Sequence, residues 1–157
     1  MAYQLKTARE KMEADHGLPK VVDIPPKMQK NFGKGRMVVP GPLTVDALIR
    51  RVKKGRLITP KLMRQTLARQ FKADTCCPLT TGIFIRLSAE AADEDSRAGK
   101  KKITPFWRVV TDEGVLIEKF PGGSLSQARL LEEEGLQIIT IKGRKRVRDF
   151  GKFLAAL

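Results

Sequence analysis

Histidine is almost missing from this sequence: His16 stands alone among 157 residues. Ser-His and Cys-His nucleophilic catalysis therefore have almost nothing to work with. Cysteine is nearly as scarce, and its two copies, Cys76 and Cys77, are neighbours. That is a poor geometry for a mutual disulfide and too few for a disulfide framework. One histidine and a cysteine pair far from it in sequence also make a poor zinc set. No apolar run reaches the roughly 18 residues of a membrane-spanning helix. The opening stretch, MAYQLKTAREKMEADHG, is charged throughout and has no apolar centre, so it does not read as a secretory signal. The expectation is a cytoplasmic, reducing setting with no metal and no cofactor. Acidic residues are in deficit as well: 17 Asp and Glu face 31 Lys and Arg, for a net charge of +14. Such a surplus attracts polyanions, nucleic acid first and an anionic membrane surface second.

What is present reads as one domain with a helical body. Residues 3 to 15 have a helical rhythm in Leu5, Ala8 and Met12. Residues 17 to 42 are rich in Pro, Gly and Lys and read as an extended arm, a loop region. The body then begins with Thr44 as an N-cap, and Val45, Leu48, Ile49 and Val52 repeat at helical spacing up to Gly55. A second helix opens with Thr59 as cap and Pro60 in its first turn. Leu62, Met63, Leu67 and Phe71 face inward there, and Lys61, Arg64 and Arg69 face out. After a short turn, a third helix runs through LTTGIFIRLSAEAA and ends in a polar loop, DEDSRAGKKK. Two helices joined by a turn are the outline of a helix-turn-helix unit. Gly82 inside the third helix costs about 1 kcal/mol against alanine, so a close contact is expected there to offset it.

The remainder alternates short pieces. Phe106 to Val110 and Val115 to Glu118 read as extended, Ser124 as the cap of a helix ending near Gly135, and residues 137 to 141 as a strand. KGRKRVRDFGKFLAAL closes the chain with a basic stretch and a short amphipathic helix on Val147, Phe150, Phe153 and Leu157.

Four phrases in order give the chain a likeness. VDALIRRVKKGRLIT, LTTGIFIRLSAEAA, TPFWRVVTDEG and PGGSLSQARLLEEEG together resemble the C-terminal domain of alkylguanine-DNA alkyltransferases and alkyltransferase-like proteins. The likeness spans about residues 43 to 136, with an arm at 1–42 before it and a basic extension at 137–157 after it. It implies a fold that is mainly α with small β elements, a winged-helix-like helix-turn-helix domain. It implies duplex DNA as partner, with Lys61, Arg64, Thr80, Thr81 and Arg86 as contacts. It places Pro60, Pro105, Phe106, Trp107, Arg108 and Glu134 around the former active-site pocket.

The departures matter as much. The family's nucleophilic cysteine falls on Phe106 and its histidine neighbour on Trp107, and a benzyl side chain cannot accept an alkyl group. A non-catalytic DNA-binding protein with a link to DNA repair is therefore expected, not an enzyme. The family's tyrosine falls on Pro60, and the arginine that fills the gap left by an extruded base falls on Leu79, or on Thr80 one position later. Phe106 reads as filling vacated volume, Trp107 as either filling or stacking surface, and Arg108 as an ion-pair or hydrogen-bond donor. Cys77 reads as a half-buried cap residue. An RNA-binding or ribosome-associated module is the rival reading of the same basic surface.

Overall fold

The computed structural model describes residues 5–157. Thr7 opens the first helix, α1 (Ala8–Glu13), through a reciprocal cap. Its hydroxyl accepts from the Glu10 N–H while the Glu10 carboxylate accepts from the Thr7 N–H. Ala8 and Met12 turn inward, Leu5 stays exposed, and residues 3 and 4 of the expected helix lie outside the described residues.

The arm is not a loop. β1 (Lys20–Asp23) pairs antiparallel with β2 (Arg36–Val39), and β2 pairs in parallel with β3 (Thr75–Cys76) from the middle of the chain. A 3₁₀ turn, Pro26–Met28, and a single helical turn, α2 (Gln29–Phe32), link β1 to β2. The prolines bracket the strands instead of entering them: Pro19 precedes β1, Pro25 and Pro26 follow it, and Pro40 follows β2. There a missing N–H removes no ladder bond.

Helix α3 (Pro42–Arg50) starts before Thr44. Gly41 is its cap, and the Thr44 hydroxyl reaches back to accept from the Gly41 N–H at 3.3 Å. Helix α4 (Pro60–Gln70) follows the sequence signals, with the Thr59 hydroxyl accepting from the Leu62 N–H at 3.1 Å. Helix α5 (Pro78–Arg97) runs through Ala92, where a polar loop is expected, to Arg97. Its acidic end is used. The Glu94 carboxylate accepts from the Ala8 and Arg9 N–H groups at 2.8 and 2.9 Å, and Asp95 pairs with Arg9 at 2.6 Å. Those acids fasten α1 to α5.

Beyond α5 the expected extended segment at 106 closes instead into a 3₁₀ turn, Phe106–Arg108. The chain then lies beside Ile58, whose N–H donates to the Arg108 carbonyl at 2.9 Å and whose carbonyl accepts from Val110 at 3.1 Å. Leu57 is paired to the chain's far end, its N–H donating to Phe153 and its carbonyl accepting from Ala155, both at 2.8 Å.

Helix α6 (Gly123–Glu133) takes Gly122, with φ +81°, as its cap. Ser124, expected in that role, lies inside the first turn and donates both its hydroxyl and its N–H to the Glu118 carboxylate. β4 (Ile138–Ile141) and β5 (Arg144–Val147) form a hairpin. A 3₁₀ turn, Phe150–Phe153, replaces the expected closing helix, because Val147 belongs to β5 and Asp149 turns the chain with φ +53°.

The architecture is mainly α with small β elements. Among the described residues three hydrophobic clusters hold it; the smallest, Ile24, Met37 and Cys77, fastens the arm, and two are larger. Of these two, one joins α1, α3, α4 and α5; the other joins Leu57, Val110, Leu116, Leu131, Leu136 and Val147. Trp107 packs against both.

Candidate nucleic-acid interface

Helix α5 carries apolar side chains on two sides. Thr81, Phe84, Ile85 and Ser88 follow the helical period into the core. Leu79 and Ile83, four residues apart on the other side, remain 71% and 54% exposed. The two form an apolar pair left in water beside charged groups.

This pair rims a cleft of about 470 Å³ between α5, Pro60 at the start of α4, and the segment Ile117 to Phe120. Arg86 and Lys119 supply its positive charge. Gly82 also lines it, and nothing lies within 4 Å of where a Cβ would stand. The intramolecular contact expected at Gly82 is therefore missing. The glycine instead presents bare backbone to the cleft, the arrangement that lets another molecule come close.

Of the residues expected around a former pocket, Pro60 alone lines this cleft. Pro105 and Phe106 are buried behind it. The Phe106 ring meets Phe120, a cleft residue, edge-on at 5.5 Å and 87°, and meets Trp107 at 5.5 Å and 78°. The two aromatics are side by side in a turn, not on opposite faces of a strand. Phe106 is packed core.

Trp107, Arg108 and Glu134 form a polar knot. The Trp107 indole N–H donates to Glu134 at 2.8 Å, and the Arg108 guanidinium donates through Nε and Nη2, the latter at 2.8 Å. Arg108 Nη1 also donates to the Val52 carbonyl, and the Gly55 N–H donates to Glu134 at 3.0 Å. The Arg108 charge lies 5.7 Å from the Trp107 ring centre. Burial raises the Glu134 pKa, but the hydrogen bonds from Arg108, Gly55 and Trp107, with the Arg108 charge, outweigh it and hold the carboxyl below its usual range. The knot ties the turn at 106–108 to the end of α3 and the end of α6; it does not open onto the cleft.

Among the expected DNA contacts, Lys61 and Arg86 are exposed and Arg64 is half-buried. The Lys61 backbone N–H is held by Asp112 at 2.9 Å, which leaves its ammonium outward, and Arg86 bonds Glu90 at 3.3 Å. Thr80 is half-buried, its hydroxyl 3.1 Å from the Cys77 sulfur. Thr81 must be corrected. It is 0% exposed, donating its hydroxyl to the Cys77 carbonyl at 2.7 Å, because the period of α5 turns it inward with Phe84 and Ile85.

Burial pushes the Cys76 thiol up, against the smaller opposing pull of the Thr81 hydroxyl and the Arg64 charge. A buried, protonated thiol is a poor nucleophile. Cys77 is the N-cap of α5 but makes no capping bond with its side chain.

Ile83, Lys119 and Phe120 were not singled out by sequence patterns. For Ile83 a signal exists. Once Phe84, Ile85 and Ser88 are assigned to the core, Leu79 and Ile83 are left facing out. Lys119 and Phe120 reach the cleft through the tertiary fold alone.

The fold and the cleft together describe a small, mainly α module with a basic, apolar-rimmed helix face. No protein-family model matches the chain, and no curated protein matches it. Among solved structures it is similar to S. pombe Atl1, crystallised in complex with damaged DNA containing O6-carboxymethylguanine. The TM-score is 0.52 at 15% identity, over 74% of this chain and 94% of that one. At that identity the likeness concerns the fold.

Proposed function

We propose that this protein grips duplex DNA through the outward face of α5, as a non-catalytic alkyltransferase-like protein, and receives an altered base in the cleft beside it. The observation that carries the reading is the exposed Leu79–Gly82–Ile83 face on a cleft edged by Arg86 and Lys119. In this reading α4 and α5 act as a helix-turn-helix pair. Lys61, Arg64 and the first turn of α5 at Thr80 meet phosphates, and apolar side chains meet bases. The structural likeness to a protein held on damaged DNA supports the choice of partner.

The chemistry of the cleft supports binding without reaction. Among the described residues, no thiol, hydroxyl, imidazole or carboxylate lines it. Phe106 occupies the position where the resemblance expects a nucleophile, and both cysteines are buried. No thiol there accepts an alkyl group, and no imidazole or carboxylate stands by to take a proton from the Lys119 amine.

Fluorescence anisotropy at fixed salt tests the reading with four labelled probes: a plain duplex, the same duplex carrying an O6-alkylguanine, its single strand, and a structured RNA. Duplex DNA is expected to bind above RNA, and the altered duplex above the plain one. Preference for RNA would replace this reading with that of an RNA-binding or ribosome-associated module. Equal binding of both duplexes would remove the altered base and leave sequence-tolerant DNA binding.

A further inference from the structure

We propose that the β4–β5 hairpin is a second phosphate-gripping element, which holds the backbone of the same duplex beyond the α5 cleft. This rests on the DNA-binding reading above and adds a surface to it. The hairpin lies in the chain's basic extension and owes nothing to the α4–α5 pair.

Five cations crowd into seven residues here: Lys142, Arg144, Lys145, Arg146 and Arg148. Among the described residues, none of the five lies within 4.0 Å of an acidic side chain, the distance at which Lys152 and Asp149 pair nearby. Some cations elsewhere are answered within the fold, as Arg50 is by Asp46 and Arg97 by Asp93; what sets the hairpin apart is five unanswered ones in so short a stretch. Arg146 goes further. Its Nε is buried with no hydrogen-bond partner, a donor still lacking an acceptor.

Geometry points the same way. Val147 turns into the second cluster, 1% exposed, so the alternation of β5 puts Arg144 and Arg146 on the opposite face. Lys142 and Gly143 make the turn, both with positive φ, at 51° and 76°. The first position of such a turn favours Asn, Asp or Gly. A lysine held in that conformation sets an ammonium at the apex.

β5 also borders a cleft of about 770 Å³, whose lining includes Arg144, Lys145, Arg146 and Lys119 together with Glu113 and Glu118. Glu118 is already engaged by Ser124 at the start of α6. This cleft shares Ile117 and Lys119 with the one beside α5. The two surfaces therefore meet, and a strand of phosphates leaving the α5 face passes Lys119 onto β5.

The test compares three full-length proteins on a plain and an O6-alkylguanine duplex, with affinity followed from 50 to 200 mM salt. They are the wild type, a K142Q/R144Q/R148Q variant, and a variant with Arg144→Lys and Arg148→Lys that keeps the charge. With about 0.9 of slope per phosphate, losing two or three contacts should flatten the log-log salt dependence by roughly 2–3. The ratio between the two duplexes, set at α5, should stay as in the wild type. The charge-keeping variant should retain the wild-type slope, which a merely structural arginine pair would not allow.

An unchanged slope in the neutralised variant overturns the proposal while leaving the α5 reading standing. So does a loss of binding confined to anionic phosphatidylserine vesicles. A wild type that binds no duplex at all overturns both.

Discussion

Truncating Leu79 to alanine should leave the fold intact and loosen the grip. The side chain is 71% exposed, so the stability change is expected within about 0.5 kcal/mol. Each CH₂ buried against a base is worth about 0.8 kcal/mol, so duplex affinity should fall by roughly fivefold or more. Thermal unfolding and anisotropy on one preparation measure both. Gly82→Ala should split the two properties in opposite directions. Alanine favours an open helix position by about 1 kcal/mol, which raises Tm by roughly 2–4 °C in a chain of this size. The new methyl stands in the cleft, so binding should weaken; tighter binding would remove the role given to the bare backbone.

Glu134 gives a pH signature. Its folded pKa lies below the unfolded value near 4.5, so its contribution to stability is fully present above that value. It is lost as pH falls through the lower folded pKa. Glu134→Gln removes the charge that Arg108 faces and should cost roughly 1.5–3 kcal/mol at pH 7. The gap between variant and wild type should narrow as pH drops below the unfolded value. Denaturant unfolding at pH 7 and pH 3.5 reads this, and a gap that does not change with pH would contradict the charge-based account.

At the scale of elements, α1 depends on a partner far along the chain. Glu94 caps its first turn across 86 residues of sequence, so Glu94→Ala should destabilise the protein by about 1 kcal/mol. Amide exchange in α1 should quicken more than in α4, which Glu94 does not touch.

The same contrast explains what sequence made legible. α4 could be read because Thr59 and Pro60 start it with chemistry contained in a few residues. The starts of α3 and α6 could not, since a glycine caps each and Thr44 and Ser124 do other work. The end of α5 was hidden because its acids answer α1, and the strands of the arm because β2 pairs with β3 across the sequence. At the candidate site, the pairing role of Arg108 was legible from its chemistry. The inward turn of Thr81 needed the period of the whole helix, and the place of the cleft needed the fold.

For the whole molecule, charge dominates the expected behaviour. A net +14 chain that neutralises about six phosphates should lose ~10³ in duplex affinity between 50 and 200 mM salt. A shallow dependence would mean that the surplus serves something other than a polyanion. Stability should be equally collective. Trp107 touches the two larger hydrophobic clusters, so its emission and the helical circular dichroism should melt along one curve.

Leu57 offers both of its backbone groups to Phe153 and Ala155. A tail buttoned in this way to a strand-like segment about a third of the way along should be trimmed by a protease only after those two bonds open, so nicking there reports local release of the tail from the body.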